Sequence, residues 1–324
     1  MESPKNLTPT AARSLKRVSI RAYFPILLFV ALIVVFGSMS SRFLTFANLA
    51  IVLQQTVVLL VAALGMTFVI VAGSIDLSVG SIVAIAALVS ASLSGIIGIW
   101  AIFPAALVGM VAGLVNGVIF AKGKVPSFMV TLGTLVAYRG IVLYFMRGAP
   151  VSITNLDFIR TYSGRTFNIP NAAIITLFVV ILAYILFNFT VFGREVRAIG
   201  GGERVAVLTG IRVDRIKILI FTISGLLCGL AGLLQSARVY AATAQLGTGL
   251  ELDVIAAVVV GGTPLTGGVG GIFSTVLGAF IITILSNGMN MVGVDPFIQN
   301  IAKGIVLIVA VFVTIDRAKI EIIK

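Results

Sequence analysis

The chain has 324 residues, 59% of them hydrophobic and only 10% charged, with a mean hydropathy of +1.18. A soluble surface of this size needs roughly 25% charged residues, so this one must face an apolar medium. Its formal charge of +12 lies in the gaps between apolar stretches, which argues against a nucleic-acid partner and for a membrane.

Histidine is absent, and the single cysteine, Cys228, lies inside an apolar stretch. No intrachain disulfide can form, and the commonest general base and metal ligand is missing. A buried catalytic triad, a metal site and a bound cofactor are therefore not expected.

In chain order, residues 1–23 are polar and basic and read as a cytoplasmic tail. The apolar run Pro25–Gly37 behind them also has the order of a signal peptide, whose removal would leave the later topology unchanged. Residues 24–316 form a transmembrane domain of about ten apolar runs, judged against the roughly 20 residues a span requires. They lie at 24–40, 49–72, 79–97, 99–121, 125–146, 170–190, 216–235, 252–262, 272–288 and 297–315. The eighth is too short to span alone, so it begins earlier, near Gly247, or is a broken helix packed inside the protein. Residues 317–324 read as a second cytoplasmic tail.

Charge placement supports this count. With the N-terminus inside, 16 of the 23 Lys and Arg fall in cytoplasmic segments and 5 in outer ones, as the positive-inside rule requires. Arg139 and Lys303 fall within spans, where they are expected to snorkel to the interface. Small residues, such as Gly109 and Gly113 or Gly225, Gly229 and Gly232, allow close helix approach.

A weak internal repeat is visible. Ile75-Asp76-Leu77-Ser78-Val79 enters the third span and Leu250-Glu251-Leu252-Asp253-Val254 the eighth, while Asn116-Gly117 and Asn287-Gly288 end the fourth and ninth. Matched pieces lie five spans apart, so the copies are inverted, as in many transporters. Asp76 and Glu251, with Asp253, can cap helix starts and favour their dipoles, or serve a gate. A charge held at mid-span is costly, so these acids are expected at span ends or in pairs.

Asn and Gln offer donors and acceptors without charge. Gln54, Gln55, Asn116, Asn287, Asn290 and Gln299 are candidates for a polar pathway, each equally able to hold helices together. Residues 193–217, GREVRAIGGGERVAVLTGIRVDRIK, form the most charged interior segment. Gly200, Gly201 and Gly202 read as a flexible break, Glu203–Leu208 as a short helix, and Gly210 as its stop. Six cations there set topology by themselves. Val205, Ala206 and Leu208 add an apolar element that suits docking to a cytosolic partner, with Glu203 and Arg204 as reasonable contacts. The pattern G-x-x-x-x-G-K-[ST] is absent, and the Gly-rich stretch 261–271 has no lysine. Any ATP must be hydrolysed by another chain.

Several stretches carry a family resemblance: LQQT (53–56), GMT (65–67), GSIDLSVGS (73–81), AIGGGERVAVLTGI (198–211), GTGLELDVIAAVVVGGTPLTGGVG (247–270) and NGMNMVGVDPFIQ (287–299). Over residues 24 to 316 the chain resembles the ribose/xylose/arabinose-type permease subunits of bacterial ABC importers. The resemblance implies an all-α, inner-membrane subunit of ten helices in two inverted five-helix halves, with both termini cytoplasmic. It implies a second copy of the chain, two cytosolic ATPase domains that bind the ATP, and an external sugar-binding protein. It also implies that residues 193–211 couple to the ATPase, which marks Arg194, Arg197, Gly201, Gly202, Glu203, Arg204, Val205 and Leu208. The family often has Asn where this chain has Gly202, which removes a side-chain capping option. The competing readings are an ion-coupled secondary transporter of a small polar solute, disfavoured by acids at span ends, and a membrane enzyme, disfavoured by the lack of histidine.

Overall fold

The computed structural model describes residues 10–314, with side chains from residue 23 onward. The tail at 317–324 and the side chains of the N-terminal cations lie outside the described residues. The helices are α1 (Thr10–Met39), α2 (Phe46–Val71), α3 (Val79–Ile97), α4 (Ile102–Gly123), α5 (Ser127–Met146), α6 (Leu156–Ser163), α7 (Asn171–Phe189), α8 (Val191–Gly201), α9 (Glu203–Leu208), α10 (Val213–Val239), α11 (Leu250–Val260), α12 (Ile272–Met291) and α13 (Pro296–Thr314). Helix α1 begins at Thr10, well ahead of the expected residue 24. Among the described residues, seven segments are long and apolar enough to cross a membrane, one of them being Val79–Gly123, which holds both α3 and α4. The apolar part of α1, Tyr23–Met39, is shorter. The chain is an all-α polytopic membrane protein.

Local chemistry sets the boundaries. Thr45 caps α2, its hydroxyl accepting from Asn48 N at 3.4 Å. Helix α2 then runs 26 residues, about 39 Å at 1.5 Å per residue, and is almost wholly buried from Val57 to Val71. The chain breaks at Ala72–Ser78 before α3 starts. A second long buried helix, α10, packs along α2, α3 and α4.

Glycines set the α4–α10 distance. A Cβ on Gly113 would stand 2.9 Å from Gly225 Cα, and one on Gly109 would stand 2.7 Å from Gly229 Cα. The two backbones touch, so any side chain at these positions forces the helices apart. Hydroxyl pairs add to the packing, with Ser90 of α3 and Ser236 of α10 at 2.9 Å and Thr67 of α2 and Thr275 of α12 at 2.6 Å.

The eighth apolar run is the broken helix: α11 spans 11 residues, with Val254–Val260 buried. It gives way to the glycine-rich loop 261–271. Gly267 and Gly268 there adopt φ of +78° and +79°, which glycine tolerates without strain. Gly268 N donates to Val71 O at 2.9 Å. Gly200 of α8 presses against the same carbonyl group, so that a Cβ on it would stand 2.9 Å from the Val71 carbonyl carbon. Three backbone segments, the end of α2, α8 and the glycine loop, thus meet at one end of the bundle.

At the opposite end, β1 (Val151–Ser152) pairs antiparallel with β4 (Ala241–Ala242), matching Val151 with Ala242. A second small pair, β2 (Arg165–Thr166) with β3 (Ile169–Pro170), follows α6. Asn155 caps α6 through a 2.9 Å bond from Phe158 N. Tyr162 anchors it, donating to Ile99 O at 2.6 Å, and burial raises its phenol above the usual range.

Candidate functional site: a polar cavity and a charged helical hairpin

The structure divides the expected site residues among four places. The first is a cavity of about 350 Å³ at the end of the bundle that carries β4. Gln55 of α2, Gln235 and Arg238 of α10, Asp253 of α11, Asn290 of α12 and Gln299 and Lys303 of α13 line it, with the backbone of Gly247 and Thr248 at the rim. It gathers four of the expected pathway residues, Gln55, Asp253, Asn290 and Gln299. Gln235 and Arg238 were not anticipated. Their i, i+3 spacing near the end of an apolar run was the available signal.

Several of these groups are already engaged. Lys303 Nζ contacts Asp253 Oδ2 at 2.8 Å. Gln299 Nε2 donates to Asn290 Oδ1 at 2.7 Å and Val294 O at 2.9 Å. The expectation that Lys303 snorkels is therefore corrected, because an acid on a neighbouring helix holds its ammonium inside the cavity. Arg139 also finds partners. Its Nη1 donates to Ala244 O at 2.9 Å and Leu246 O at 2.7 Å, fixing the loop that forms the rim. Glu251 lies in the first turn of α11, as a dipole role requires. Gly80 packs so closely on Gly247 that a Cβ there would strike both the Gly247 carbonyl and the Glu251 carboxylate. Gln54 is half-buried and does not line the cavity.

The second place is a polar knot at the break before α3. Asp76 is 0% exposed, although an acid there was expected at a span end or in an ion pair. Its Oδ1 accepts from Ser78 N at 2.9 Å and Ser78 Oγ at 2.6 Å, and Oδ2 lies 3.4 Å from Ser224 Oγ. Ser224 stands 11 residues into α10, roughly 16 Å from its start. The acid thus lies deep in the bundle, and no described cation pairs with it. Hydroxyl and amide hydrogen bonds replace an ion pair, because packing encloses Asp76 and Ser78 completely. Asn116 Nδ2 donates to Ser78 Oγ at 2.8 Å, and Tyr138 OH reaches Asn116 Oδ1 at 3.2 Å. Asn116 therefore serves this knot and lies away from the cavity.

The third place joins α2 to α12. Asn48 and Asn287 exchange two hydrogen bonds, of 3.0 and 3.1 Å, in a buried setting. Asn287 is helix-to-helix glue here, and it too is absent from the cavity lining.

The fourth place is the helical hairpin α8–α9, where the three-residue flexible break is corrected. Gly200 and Gly201 belong to α8, and the chain turns at Gly202, which caps α9 without a side-chain bond. Helix α8 forms because Phe192, Val196 and Ile199 share one face at i, i+4 and i+7 and pack inward. Helix α9 covers Glu203–Leu208, as expected, and Gly210 ends the turn at φ +85°. Val205, Val207 and Leu208 are 65%, 57% and 85% exposed, whereas Ala206 is buried. Arg194 and Arg204 are exposed beside them. Glu203 is less free than expected, since Lys217 Nζ binds its Oε1 at 2.8 Å. Arg197 also turns inward, donating to Phe187 O at 3.2 Å and lying 4.8 Å from the Phe187 ring centre. Among the described residues no cluster of three or more His, Cys, Asp or Glu forms a metal site.

A family profile described as "Branched-chain amino acid transport system / permease component" matches residues 48–311. The ribose import permease protein RbsC of Escherichia coli is 40% identical over 288 residues, covering 87% of this chain and 90% of that protein. RbsC of Bacillus subtilis is 39% identical over 292 residues, covering 89% and 90%. The xylose transport system permease protein XylH of Haemophilus influenzae is 32% identical over 371 residues, covering 94% and 99%. No solved structure matches the chain significantly. Long apolar helices, a polar cavity at one end and a charged hairpin at the other agree with these matches along nearly the whole sequence, and the chain belongs to this family of transport-system permease components, a transport subunit rather than an enzyme.

Proposed function

We propose that this chain is the membrane-embedded subunit of an ATP-driven bacterial importer, passing a monosaccharide delivered by an external binding protein. A separate cytosolic ATPase hydrolyses the ATP. Two copies form the conduit in the inner membrane, each with ten helices in two inverted five-helix halves and both termini on the cytoplasmic side.

The observation that carries this reading is the polarity between the ends of the molecule. One end holds a cavity whose amides, hydroxyls and three charged side chains stand beside Val58, Leu59, Leu250 and Ile282. The other presents α9, with three exposed apolar side chains among cations. Val205, Val207 and Leu208 on a six-residue helix gain nothing from water, and a partner that covers them gains their burial. The names of the relatives point to ribose and xylose, and that of the Escherichia coli AlsC permease to D-allose. The family description speaks of branched-chain amino acids, but the relatives named for a substrate carry sugar names, and the amides and hydroxyls of the cavity can pair with a polyol. ATP-driven closure of the ATPase pair moves α8–α9, and the helices they touch rock to open the path alternately to each side.

Replacing Glu203–Leu208 with a Gly/Ser linker tests the reading. The variant is expected to reach the membrane in normal amount, to lose uptake, and to leave ATP hydrolysis uncoupled from the sugar-loaded binding protein. Normal uptake by that variant refutes the proposal.

A further inference from the structure

The cavity has two unlike walls. On the α11–α13 side, Lys303 and Asp253 satisfy each other and Gln299 binds Asn290. On the α2/α10 side, the side chains of Gln55, Gln235 and Arg238 have no partner among the described residues. Gln235 Oε1 is buried and lacks a donor, and a buried acceptor left unmet is costly. Arg238 sits one turn further along α10, half-buried, with its guanidinium donors unused.

We infer that Gln55, Gln235 and Arg238 form the ligand-contacting wall of this cavity, and that they engage a neutral sugar through a vicinal diol. Gln235 Oε1 is sealed from solvent as the side chain stands, so the amide turns toward the cavity to take one hydroxyl while the neighbouring hydroxyl accepts from Arg238, a pairing that a hydroxyl can make in either sense. Gln55 faces this pair from α2 and offers both a donor and an acceptor. The opposite wall is structural, its polar atoms consumed in tying α11, α12 and α13 together. A neutral ligand fits better than an anion because a carboxylate on Arg238 would form a charge-assisted bond about twice as strong as a neutral one, which would retain a solute that has to leave.

This inference rests on the importer reading above, and the experiment separates the two. The importer assembled with its ATPase and binding protein in proteoliposomes is offered labelled ribose, xylose, D-allose and ribonate. Wild type takes up at least one neutral sugar and excludes ribonate. Gln235→Leu and Arg238→Ala each lower the initial rate about tenfold, the effect of one lost hydrogen bond at its stronger limit. Arg238→Lys keeps part of the rate. Membrane abundance and ATPase stimulation by the sugar-loaded binding protein stay at wild-type levels in all three, which a merely structural role would not allow. Variant uptake within about twofold of wild type, set against that tenfold loss, overturns the wall assignment. Loss of ATPase stimulation together with uptake overturns it also, since the residues then act on the whole fold. Faster uptake of ribonate than of any sugar overturns the neutral diol. A wild-type importer that moves none of the four compounds overturns the importer reading itself.

Discussion

Asp76 and Glu251 occupy corresponding places in the internal repeat, but Asp76 lies in the break three residues before α3, whereas Glu251 is the second residue of α11. Their surroundings have almost nothing in common. Asp76 is wholly enclosed by α4, α5 and α10 and spends its lone pairs on Ser78 and Ser224. Glu251 is half-exposed in the first turn of α11, beside the cavity rim. The matching asparagines diverge in the same way: Asn116 joins the Asp76 knot, whereas Asn287 pairs with Asn48 of α2. The repeat therefore marks two neighbourhoods where the backbone breaks, and the helices packed around each break decide where the next helix restarts and what its acid does.

Substitutions at these positions test that contrast. The largest effect is expected for Asp76→Ala, which leaves Ser78 N, Ser78 Oγ and Ser224 Oγ without their acceptor and costs about 3 kcal/mol. Thermal unfolding of the detergent-solubilised protein reads it, and an equal loss for Glu251→Ala would erase the distinction. Asn287→Leu comes next, at about 2 kcal/mol, because Asn48 loses two reciprocal buried bonds. Full retention of stability would show that the Asn48–Asn287 pair adds nothing. Asp76→Asn keeps an acceptor for Ser78 and removes a buried charge, so it costs about 1 kcal/mol. A loss as large as that of Asp76→Ala would mean that the carboxylate itself is needed. The smallest change belongs to Glu251→Gln, about 0.5 kcal/mol from its position in the first turn of α11. A melting shift beyond that of Asp76→Asn would place Glu251 in a buried network.

Much of the helical framework was legible in the residues. Apolar runs mark the long helices, the brevity of 252–262 leaves a broken helix as one of two readings, and the glycine spacings on the fourth and seventh runs mark close helix approach without saying that α4 and α10 make it with each other. The charges of α8 hide its Phe192, Val196 and Ile199 stripe, so the sequence alone reads as loop there. The partners of Arg139 and Lys303 are hidden for a different reason. Ala244 O, Leu246 O and Asp253 lie far along the chain, and no local pattern reveals which backbone carbonyl or acid will arrive beside a cation. Gln235 and Arg238 escaped notice because their significance lies in lacking partners, which only the packed arrangement displays.

The meeting of Gly200, Val71 and Gly268 bears on how force travels through the molecule. Side chains normally act as a compliant layer between helices, shifting rotamers to absorb a small displacement. Here bare backbone rests on bare backbone at two contacts, so that layer is missing. A push delivered to the α8–α9 hairpin reaches the foot of α2 and the glycine loop with no slack to take up, as in a lever pinned directly to its load.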